Sequence, residues 1–265
     1  MPDILRTKSG MLSDLKAAQL SSYSEKKEKR KMNSIGIIGG ADGPTAVFYS
    51  GSEFSGQISI PLILLSMLIA YAIGNISPSI MLAKARGIDI KKEGSGNAGT
   101  TNALRVMGKK AGVITLLVDV LKGTCAVLLG GLIGGYVAQM LCVVAVFCGH
   151  VWPALYRFKG GKGVATAFGA LMGLNPLLGL SALGIVLIGV LVSKRMSVGS
   201  ILGALCFPAL AYFLEPDFII PGSILALVVI IKHRANIGRI FRGEEPVMSI
   251  FEKKKQNGSD EASDK

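Results

Sequence analysis

Long apolar runs separated by short charged stretches are the feature that most constrains this chain. The runs approach the length needed to cross a bilayer, about 20 residues, and the basic residues concentrate between them. Half of the 265 residues are hydrophobic and 34 are glycine. Glycine weakens helices in water, whereas in lipid it lets helix backbones approach closely. The pattern therefore predicts an all-α, polytopic membrane protein with about seven transmembrane helices.

The predicted membrane domain covers residues 57–242, between two polar ends. Residues 1–56 form an N-terminal extension that we expect to be largely disordered, and 243–265 form a charged tail that we also expect to be disordered. Glycines at 130, 131, 134 and 135 and at 169 and 173 are candidates for close helix packing. The predicted spans are 58–85, with an interruption near Asn75 and Pro78, then 110–134, 137–156, 163–173, 177–193, 198–213 and 218–231.

The positions of lysine and arginine predict the orientation. Every second connection is basic, whereas the connections near Gly135, Asn175 and Glu215 contain neither residue. Because basic loops stay in the cytoplasm, we expect a cytoplasmic C-terminus and an external N-terminus. The basic cluster at 26–31 would favour the reverse, but it lies too far before the first span to dominate. No apolar stretch of a signal peptide lies within residues 1–31.

Composition also weighs against several classes of site. The formal net charge is +12, yet few aromatics accompany the basic residues and no helix-turn-helix or zinc-finger pattern is visible, so we expect no nucleic-acid partner. The four cysteines lie in apolar runs without CxxC spacing, which favours small core residues over disulfides or metal ligands. We expect no metal.

The first polar segment, residues 94–105, reads GSGNAGTTNALR and precedes a predicted helix. Small residues expose backbone N–H groups, and the N-terminus of a helix favours an anion. Arg105 can bind a phosphate through two hydrogen bonds. A flexible polar loop is the alternative. The candidate phosphate-binding residues here are Ser95, Asn97, Thr101, Asn102 and Arg105.

The second segment, residues 149–166, contains a glycine loop bracketed by two ammonium groups, Lys159 to Gly163. This chemistry suits a phosphate or an acyl phosphate, through Lys159, Gly160, Gly161, Lys162 and Gly163. It is not a Walker A loop, because Gly163 follows Lys162 where Ser or Thr is required. An ordinary positively charged cytoplasmic loop is the alternative.

The third segment, residues 232–245, follows the last span and contains His233. Asn236 lies three residues further on, on the same helical face, and could orient the imidazole. A basic patch against anionic lipid is the alternative interpretation of this segment. Six residues are expected to support the site. Asp119 and Lys122 share one predicted span, and Ser197 and Ser200 open another. The other two are His150 and Arg234.

Together and in this order, the three segments resemble the bacterial membrane acyl-phosphate:glycerol-3-phosphate acyltransferases, the PlsY family. SGNAGTTNALR (95–105), GHVWPALYRFKGGKGVAT (149–166), KHRANIGRIFRGEE (232–245) and DVLKG (119–123) carry the resemblance, which covers about residues 60–245. The chain departs from the family pattern at Ala98, where proline is usual, and at Thr100, where alanine is usual. Both residues are small.

The resemblance implies transfer of a fatty acyl group from an acyl phosphate to the 1-hydroxyl of glycerol 3-phosphate. The products would be lysophosphatidic acid and phosphate, made for phospholipid biosynthesis at the cytoplasmic face of a bacterial cell membrane. No cofactor is implied, and an acyl-phosphate-forming enzyme would supply the donor. We expect a monomer in contact with membrane lipid, with the acyl chain of the donor lying between the helices, within the bilayer.

By this hypothesis Ser95, Arg105 and Lys162 hold phosphate, and the glycines of the second segment donate backbone N–H groups to the acyl phosphate. His233, with Asn236, would orient or deprotonate the attacking hydroxyl, or a substrate phosphate would take the proton. The HxxxxD motif of other glycerolipid acyltransferases is absent, since neither histidine has an aspartate five residues on.

Two other classes compete with an enzyme: a small transporter, which the intramembrane charges would suit, and a non-catalytic membrane anchor. The polar segments gather on one predicted face and no inverted repeat is evident, which disfavours a transporter. An anchor would not need two phosphate-binding loops. The Gly-rich stretch 34–51, which contains Asp42, looks like a fragment of the β subunits of sodium-pumping decarboxylases, and we assign it no function.

Overall fold

A computed structural model describes the backbone of residues 37–40 and 43–47, and residues 59–248 and 251 with their side chains. The chain divides into an N-terminal unit, residues 1–57, and a membrane unit, residues 58–265. The other parts of the predicted extension and of the predicted tail lie outside the described residues.

The described part of the membrane unit is helical, which confirms the predicted fold class there. Two single 3₁₀ turns, Ala154–Tyr156 and Pro216–Phe218, connect helices. The helices are α1 (Ile60–Gly74), α2 (Pro78–Lys84), α3 (Thr100–Met107), α4 (Lys109–Val151), α5 (Val164–Leu174), α6 (Pro176–Ser193), α7 (Met196–Leu214), α8 (Ile219–Lys232) and α9 (Arg234–Phe241).

Helix α4 is a helical hairpin rather than one straight rod. Gly135 has a left-handed backbone, with φ 73° and ψ −168°, and it separates two arms, residues 109–134 and 136–151. A Cβ atom on Gly130 would overlap the side chain of Cys142, although twelve residues of straight helix would span about 18 Å. The chain therefore turns back at Gly135, as the sequence predicts from the break between the second and third spans.

Fewer helices have full membrane-spanning length than the sequence predicts. Among the described residues, four helical segments are long and apolar enough to cross a membrane, or five if α8 and α9, bent by 54°, count as one span. One of the four contains both arms of α4. Helix α5 has 11 residues, about 16 Å, against a hydrocarbon core of about 30 Å. The count of seven spans stays a prediction.

Apolar side chains cover both the inside and the outside of this helical unit. Phe147, Val143 and Val146 are fully buried between the helices, whereas Leu132 and Phe213 are among many large apolar side chains that remain exposed. A helix that is hydrophobic all round is typical of a membrane span, because its outer face meets lipid rather than water.

Glycine pairs set the closest helix contacts. Gly74 of α1 faces Gly149 of α4, and a Cβ atom on either residue would overlap backbone atoms of the other helix. Gly169 of α5 packs in the same way on Val120 of α4. Of the predicted packing glycines, Gly135 instead forms the turn and has no neighbour within 4 Å of a Cβ position.

The N-terminal unit contains two short strands that the prediction of an all-α chain did not include. Strand β1 (Ile37–Gly40) pairs antiparallel with β2 (Gly43–Val47), and Ile37 lies opposite Val47. Both strands fall in the Gly-rich stretch 34–51. Its glycines and Pro44 disfavour a helix, and the Asp42–Gly43 dipeptide is a frequent hairpin signal that the sequence analysis did not use.

Replacing Gly149 by valine should destabilise the membrane unit by about 1–3 kcal/mol or more, because the new side chain would push α1 and α4 apart. The matched control is Gly184→Val in α6, where a Cβ atom meets nothing within 4 Å. Thermal unfolding of the purified proteins in one detergent compares them. Equal midpoints for the two variants would contradict this account of the packing.

Candidate phosphate-binding site

The three polar segments singled out in the sequence meet at one end of the helical unit. A Cβ atom on Gly161, in the second segment, would lie 2.7 Å from the carbonyl oxygen of Ala98, in the first. The ammonium group of Lys162 donates a hydrogen bond to the Oδ1 atom of Asn236, in the third segment. The second segment therefore lies between the other two and contacts both.

Asn102 holds the first segment in shape. Its side chain is buried, accepts a hydrogen bond from the backbone N–H of Ser95 (2.8 Å), and donates to the carbonyl groups of Ile90 (3.2 Å) and Glu93 (3.0 Å). Because these bonds engage both ends of its amide, Asn102 organises the loop rather than offering a group to a ligand. The loop then runs into α3, whose N-terminus has no side-chain cap.

The second segment is tied back onto the end of α4. The backbone N–H of Gly161 donates to the carbonyl oxygen of His150 (3.2 Å), and that of Gly160 donates to Val151 (3.3 Å). These two glycines therefore do not present free donors to a ligand, in contrast to the prediction. Gly163 has φ +85° and packs on the ring of Phe147, so only glycine fits there. It precedes α5, whose N-terminus is likewise uncapped.

A buried polar network lies beneath this loop. The Asp119 Oδ1 and Lys122 Nζ atoms are 2.7 Å apart, and both side chains are almost fully buried. The Nδ1 atom of His150 lies 2.9 Å from Lys122 Nζ, 3.0 Å from Thr166 Oγ1 and 3.3 Å from Asp119 Oδ1. Lys122 also donates to the carbonyl oxygen of Ile76 (2.6 Å), in the break between α1 and α2.

Glu245 organises the polar groups around Lys162. It accepts hydrogen bonds from Asn236 Nδ2, Ser197 Oγ and Arg239 Nε, each at 2.7 Å, and its side chain is buried. Burial alone would raise the pKa of Glu245, but the hydrogen bonds from these three donors outweigh it, so the pKa is lowered. Because Glu245 holds the amide of Asn236, it also fixes the acceptor that Lys162 uses.

The ammonium group of Lys162 is partly buried and lies near other positively charged side chains. Burial is the first cause that lowers the pKa of Lys162 to about 8, and the nearby charges of Arg239 and Arg105 add to it, against the opposing effect of Glu245. Three cationic side chains therefore lie close together, with one carboxylate to offset them. Such a cluster is stabilised by a bound anion.

His233 has a defined tautomer. Its Nδ1 atom lies 2.8 Å from the carbonyl oxygen of Val229, which can only accept, so Nδ1 carries the proton and Nε2 keeps a free lone pair. Burial and then the charge of Lys162 lower the pKa of His233 to about 4. The orienting contact expected from Asn236 thus comes from Val229, while the Asn236 amide serves Lys162 and Glu245.

The other predicted site residues surround these groups without strong contacts of their own. The side chains of Ser95, Arg105, Lys159 and Arg234 are exposed, and Asn97 and Thr101 are half-buried. Ser200 donates to the carbonyl oxygen of Met196 (2.9 Å) within α7. Among the described residues, no group of three or more His, Cys, Asp or Glu side chains is placed to hold a metal ion, and all four cysteines are unpaired.

Five participants were not among the predicted site residues: Glu245, Thr166, Arg239 and the backbone carbonyl groups of Ile76 and Val229. Glu245 stood at the edge of the third segment but was assigned to the polar tail, and Thr166 ended the second segment without being singled out. The contact of Val229 involves only its carbonyl group, which no side-chain pattern reports. The glutamate alone had a usable signal, because a carboxylate that directly follows the arginines of residues 234–242 suggests a partner for them.

Comparison with known proteins identifies a family for this chain. The family of proteins described as glycerol-3-phosphate acyltransferase matches residues 64–243. A glycerol-3-phosphate acyltransferase of Thermoanaerobacter pseudethanolicus is 45% identical over 184 residues, which are 68% of this chain and 93% of the relative. One from Clostridioides difficile is 44% identical over 189 residues, 67% of this chain and 91% of the relative.

Two solved structures have the same fold. The crystal structure of PlsY (YgiH), an integral membrane glycerol 3-phosphate acyltransferase, in its glycerol 3-phosphate form has a TM-score of 0.67 and 30% identity, covering 72% of this chain and 99% of that one. Its lysophosphatidic acid form has a TM-score of 0.64 and 31% identity, covering 70% and 94%. The chain therefore belongs to the PlsY family of integral membrane glycerol-3-phosphate acyltransferases.

Proposed function

We propose that this protein transfers a fatty acyl group from an acyl phosphate to the 1-hydroxyl of glycerol 3-phosphate, giving lysophosphatidic acid and inorganic phosphate. The observation that carries the proposal is the meeting of the first two polar segments with the Lys162–Asn236–Glu245 cluster. A reaction between two phosphate-bearing substrates needs two anion sites side by side, and we assign these sites to the two segments.

The first feature that suits phosphate is the pair of uncapped helix N-termini. Helices α3 and α5 both begin directly after a glycine, with no side chain bonded to their first N–H groups. Such N–H groups and the helix dipole bind anions. They take the place of Gly160 and Gly161, whose N–H groups are already bonded. In α3, the buried Oγ1 atom of Thr100 also has no hydrogen-bond partner.

The second feature is the cationic cluster of Lys162, Arg105 and Arg239. Arginine binds phosphate oxygens through two parallel hydrogen bonds, whereas lysine acts as a movable point charge. Arg239 already bonds Glu245, while Arg105 is exposed at the mouth of the site. We assign the binding of substrate phosphate to Arg105 and Lys162. Ser95, Asn97 and Thr101 of the first segment would contribute to the same site.

The chemical step requires no covalent intermediate. The hydroxyl oxygen of glycerol 3-phosphate attacks the acyl carbon, the bond from that carbon to the phosphate oxygen breaks, and phosphate leaves with the bonding electrons. The hydroxyl proton passes to the lone pair of His233 Nε2 or to the leaving phosphate. His233 is neutral at physiological pH because its pKa is lowered to about 4, so its Nε2 lone pair can accept a hydrogen bond from the hydroxyl. At that pKa the imidazole is a weaker base than the leaving phosphate.

The buried pair of Asp119 and Lys122, which in the sequence would also suit a small transporter, has a structural role here. Asp119 and Lys122 pair with each other at 2.7 Å and contact His150 and Ile76, so their charges are used within the protein. We propose instead that they support the second segment. Gly161 bonds the backbone of His150 and packs against its ring, which links the network to the loop.

We further propose that the basic end, with the site, faces the cytoplasm of a bacterial cell membrane and that the protein acts as a monomer. The basic connections after α2 and α4 both reach this end, which supports the orientation under the positive-inside rule. An acyl-phosphate-forming enzyme would supply the donor from the same side.

Lys162→Ala and His233→Ala should each lower the rate of phosphate release from acyl phosphate in the presence of glycerol 3-phosphate. We expect kcat/KM to fall at least about tenfold for the loss of one charged phosphate contact and about 100-fold for the loss of a proton acceptor. Release of phosphate and appearance of lysophosphatidic acid are measured together on purified protein.

Lys110→Ala is the matched control, because Lys110 is an exposed lysine in the first turn of α4 and its loss should leave kcat/KM unchanged. Acyl-CoA serves as the alternative donor. Turnover of acyl-CoA but not of acyl phosphate by folded wild-type protein would refute the proposed donor. Full activity in both site variants would refute the proposed residues.

The value of kcat/KM should decline as pH rises through about 8. Lys162 is charged below its lowered pKa of about 8 and neutral above it, so phosphate binding weakens on the alkaline side. In Lys162→Arg the decline should disappear up to pH ~10, since arginine stays protonated. An unchanged alkaline decline in that variant would assign it to another group.

A further inference from the structure

A second cationic cavity lies beside the candidate site and is not used by the proposed reaction. It has a volume of about 570 Å³ and is formed by residues 89–96 together with the connection that follows α4. Neither Lys162, His233 nor Asn236 lines it. Four cationic side chains and one carboxylate do, namely Lys91, Lys92, Arg157, Lys159 and Asp89.

The cations of this cavity are held close together. Lys91 Nζ donates to the carbonyl oxygen of Tyr156 (3.3 Å) and lies 5.8 Å from the centre of its ring, and Lys84 lies 5.5 Å from the same ring. The pKa of Lys91 is lowered, first by partial burial and then by the charges of Lys159, Lys84 and Arg157, against the effect of Asp89. Like charges gathered in this way repel one another unless an anion is bound.

The backbone at the cavity is also strained. Arg157 and Phe158 are consecutive non-glycine residues with left-handed φ angles of 56° and 58°. Such a conformation is unfavourable for residues with a side chain and is enriched at functional sites. Here it turns the chain just after α4, so that Arg157 lines the cavity while its neighbour Phe158 stays exposed.

Two exposed apolar residues flank the lining residues Tyr156 and Arg157 in the sequence. Leu155 and Phe158, on either side of Tyr156 and Arg157, are 74% and 60% exposed, and they follow directly on the end of a membrane helix. Apolar side chains beside basic ones at the end of a span are typical of a site at the membrane interface, where lipid chains and headgroups meet. A free phosphate would need the cations but not these apolar side chains.

We infer that this cavity binds the phosphate headgroup of an anionic phospholipid, with Lys91 and Arg157 as its principal contacts and the acyl chains lying against Leu155 and Phe158. The ligand is neither acceptor nor donor of the proposed reaction. Bound next to the second segment, such a lipid would steady the connection from Tyr156 to Gly160, which this cavity shares with the candidate site.

The test compares Lys91→Gln/Arg157→Gln with the control Lys109→Gln/Lys110→Gln, which removes two exposed cations at the same end of the molecule, outside the cavity. Purified full-length proteins are equilibrated with equal amounts of phosphatidylglycerol and phosphatidylcholine, and bound lipids are counted by native mass spectrometry. The preference for phosphatidylglycerol should fall roughly tenfold in the cavity variant and stay within about twofold in the control.

Three further measurements separate the alternatives. Lys92→Gln, at a side chain 83% exposed, gives a smaller loss of preference even if the double variant folds poorly. Millimolar inorganic phosphate should not displace the lipid, and KM for acyl phosphate should not change in the cavity variant. Displacement by phosphate, a raised KM for acyl phosphate, or an equal lipid preference in the cavity and control variants would each overturn the inference.

Discussion

The ion pair between Asp119 and Lys122, with His150 beside it, is the interaction on which the rest of the structure depends. It joins the first arm of α4 to the second, reaches the break between α1 and α2 through Ile76, and reaches α5 through Thr166. Charges buried in a membrane protein are costly unless they are paired and hydrogen-bonded. Their presence here fixes the positions of four helical segments at the level of the site.

This network also explains why the second segment needs its glycines. Gly160 and Gly161 lie so close to His150 that a Cβ atom on either would overlap it, and their N–H groups are bonded to the end of α4. These bonds hold the glycine loop in place. In the proposed function, the second segment therefore binds phosphate through Lys162 and the N-terminus of α5. Glu245 plays the equivalent part on the other side, since it orders Asn236, Ser197 and Arg239. The buried network around Asp119 and the hydrogen bonds of Glu245 thus position Lys162 from two sides.

Much of this arrangement could be predicted from the sequence. Apolar runs predicted most of the helices, the break at Gly135 predicted the turn of α4, and the alternation of basic connections predicted that the three polar segments share one end. The bounds predicted for α5, 163–173, lie within one residue of the observed helix, but the segment was counted as a span although 11 residues are too few to cross the hydrocarbon core. The contacts of Ile76 and Val229 were out of reach, because backbone carbonyls carry no residue-specific signal. Glu245 looked like part of a solvated tail because its burial depends entirely on α7 and α9.

The buried network holds the second segment in place, and amide hydrogen exchange of that segment measures its effect. Asp119→Asn should raise exchange at the amides of residues 158–163, since the protection of Gly160 and Gly161 depends on the carbonyl groups of Val151 and His150. Asp217→Asn, at an exposed acid next to the other end of α7, should leave them unchanged. Faster exchange confined to Asp119→Asn is the predicted result. Equal protection of these amides in Asp119→Asn and wild type would contradict the account.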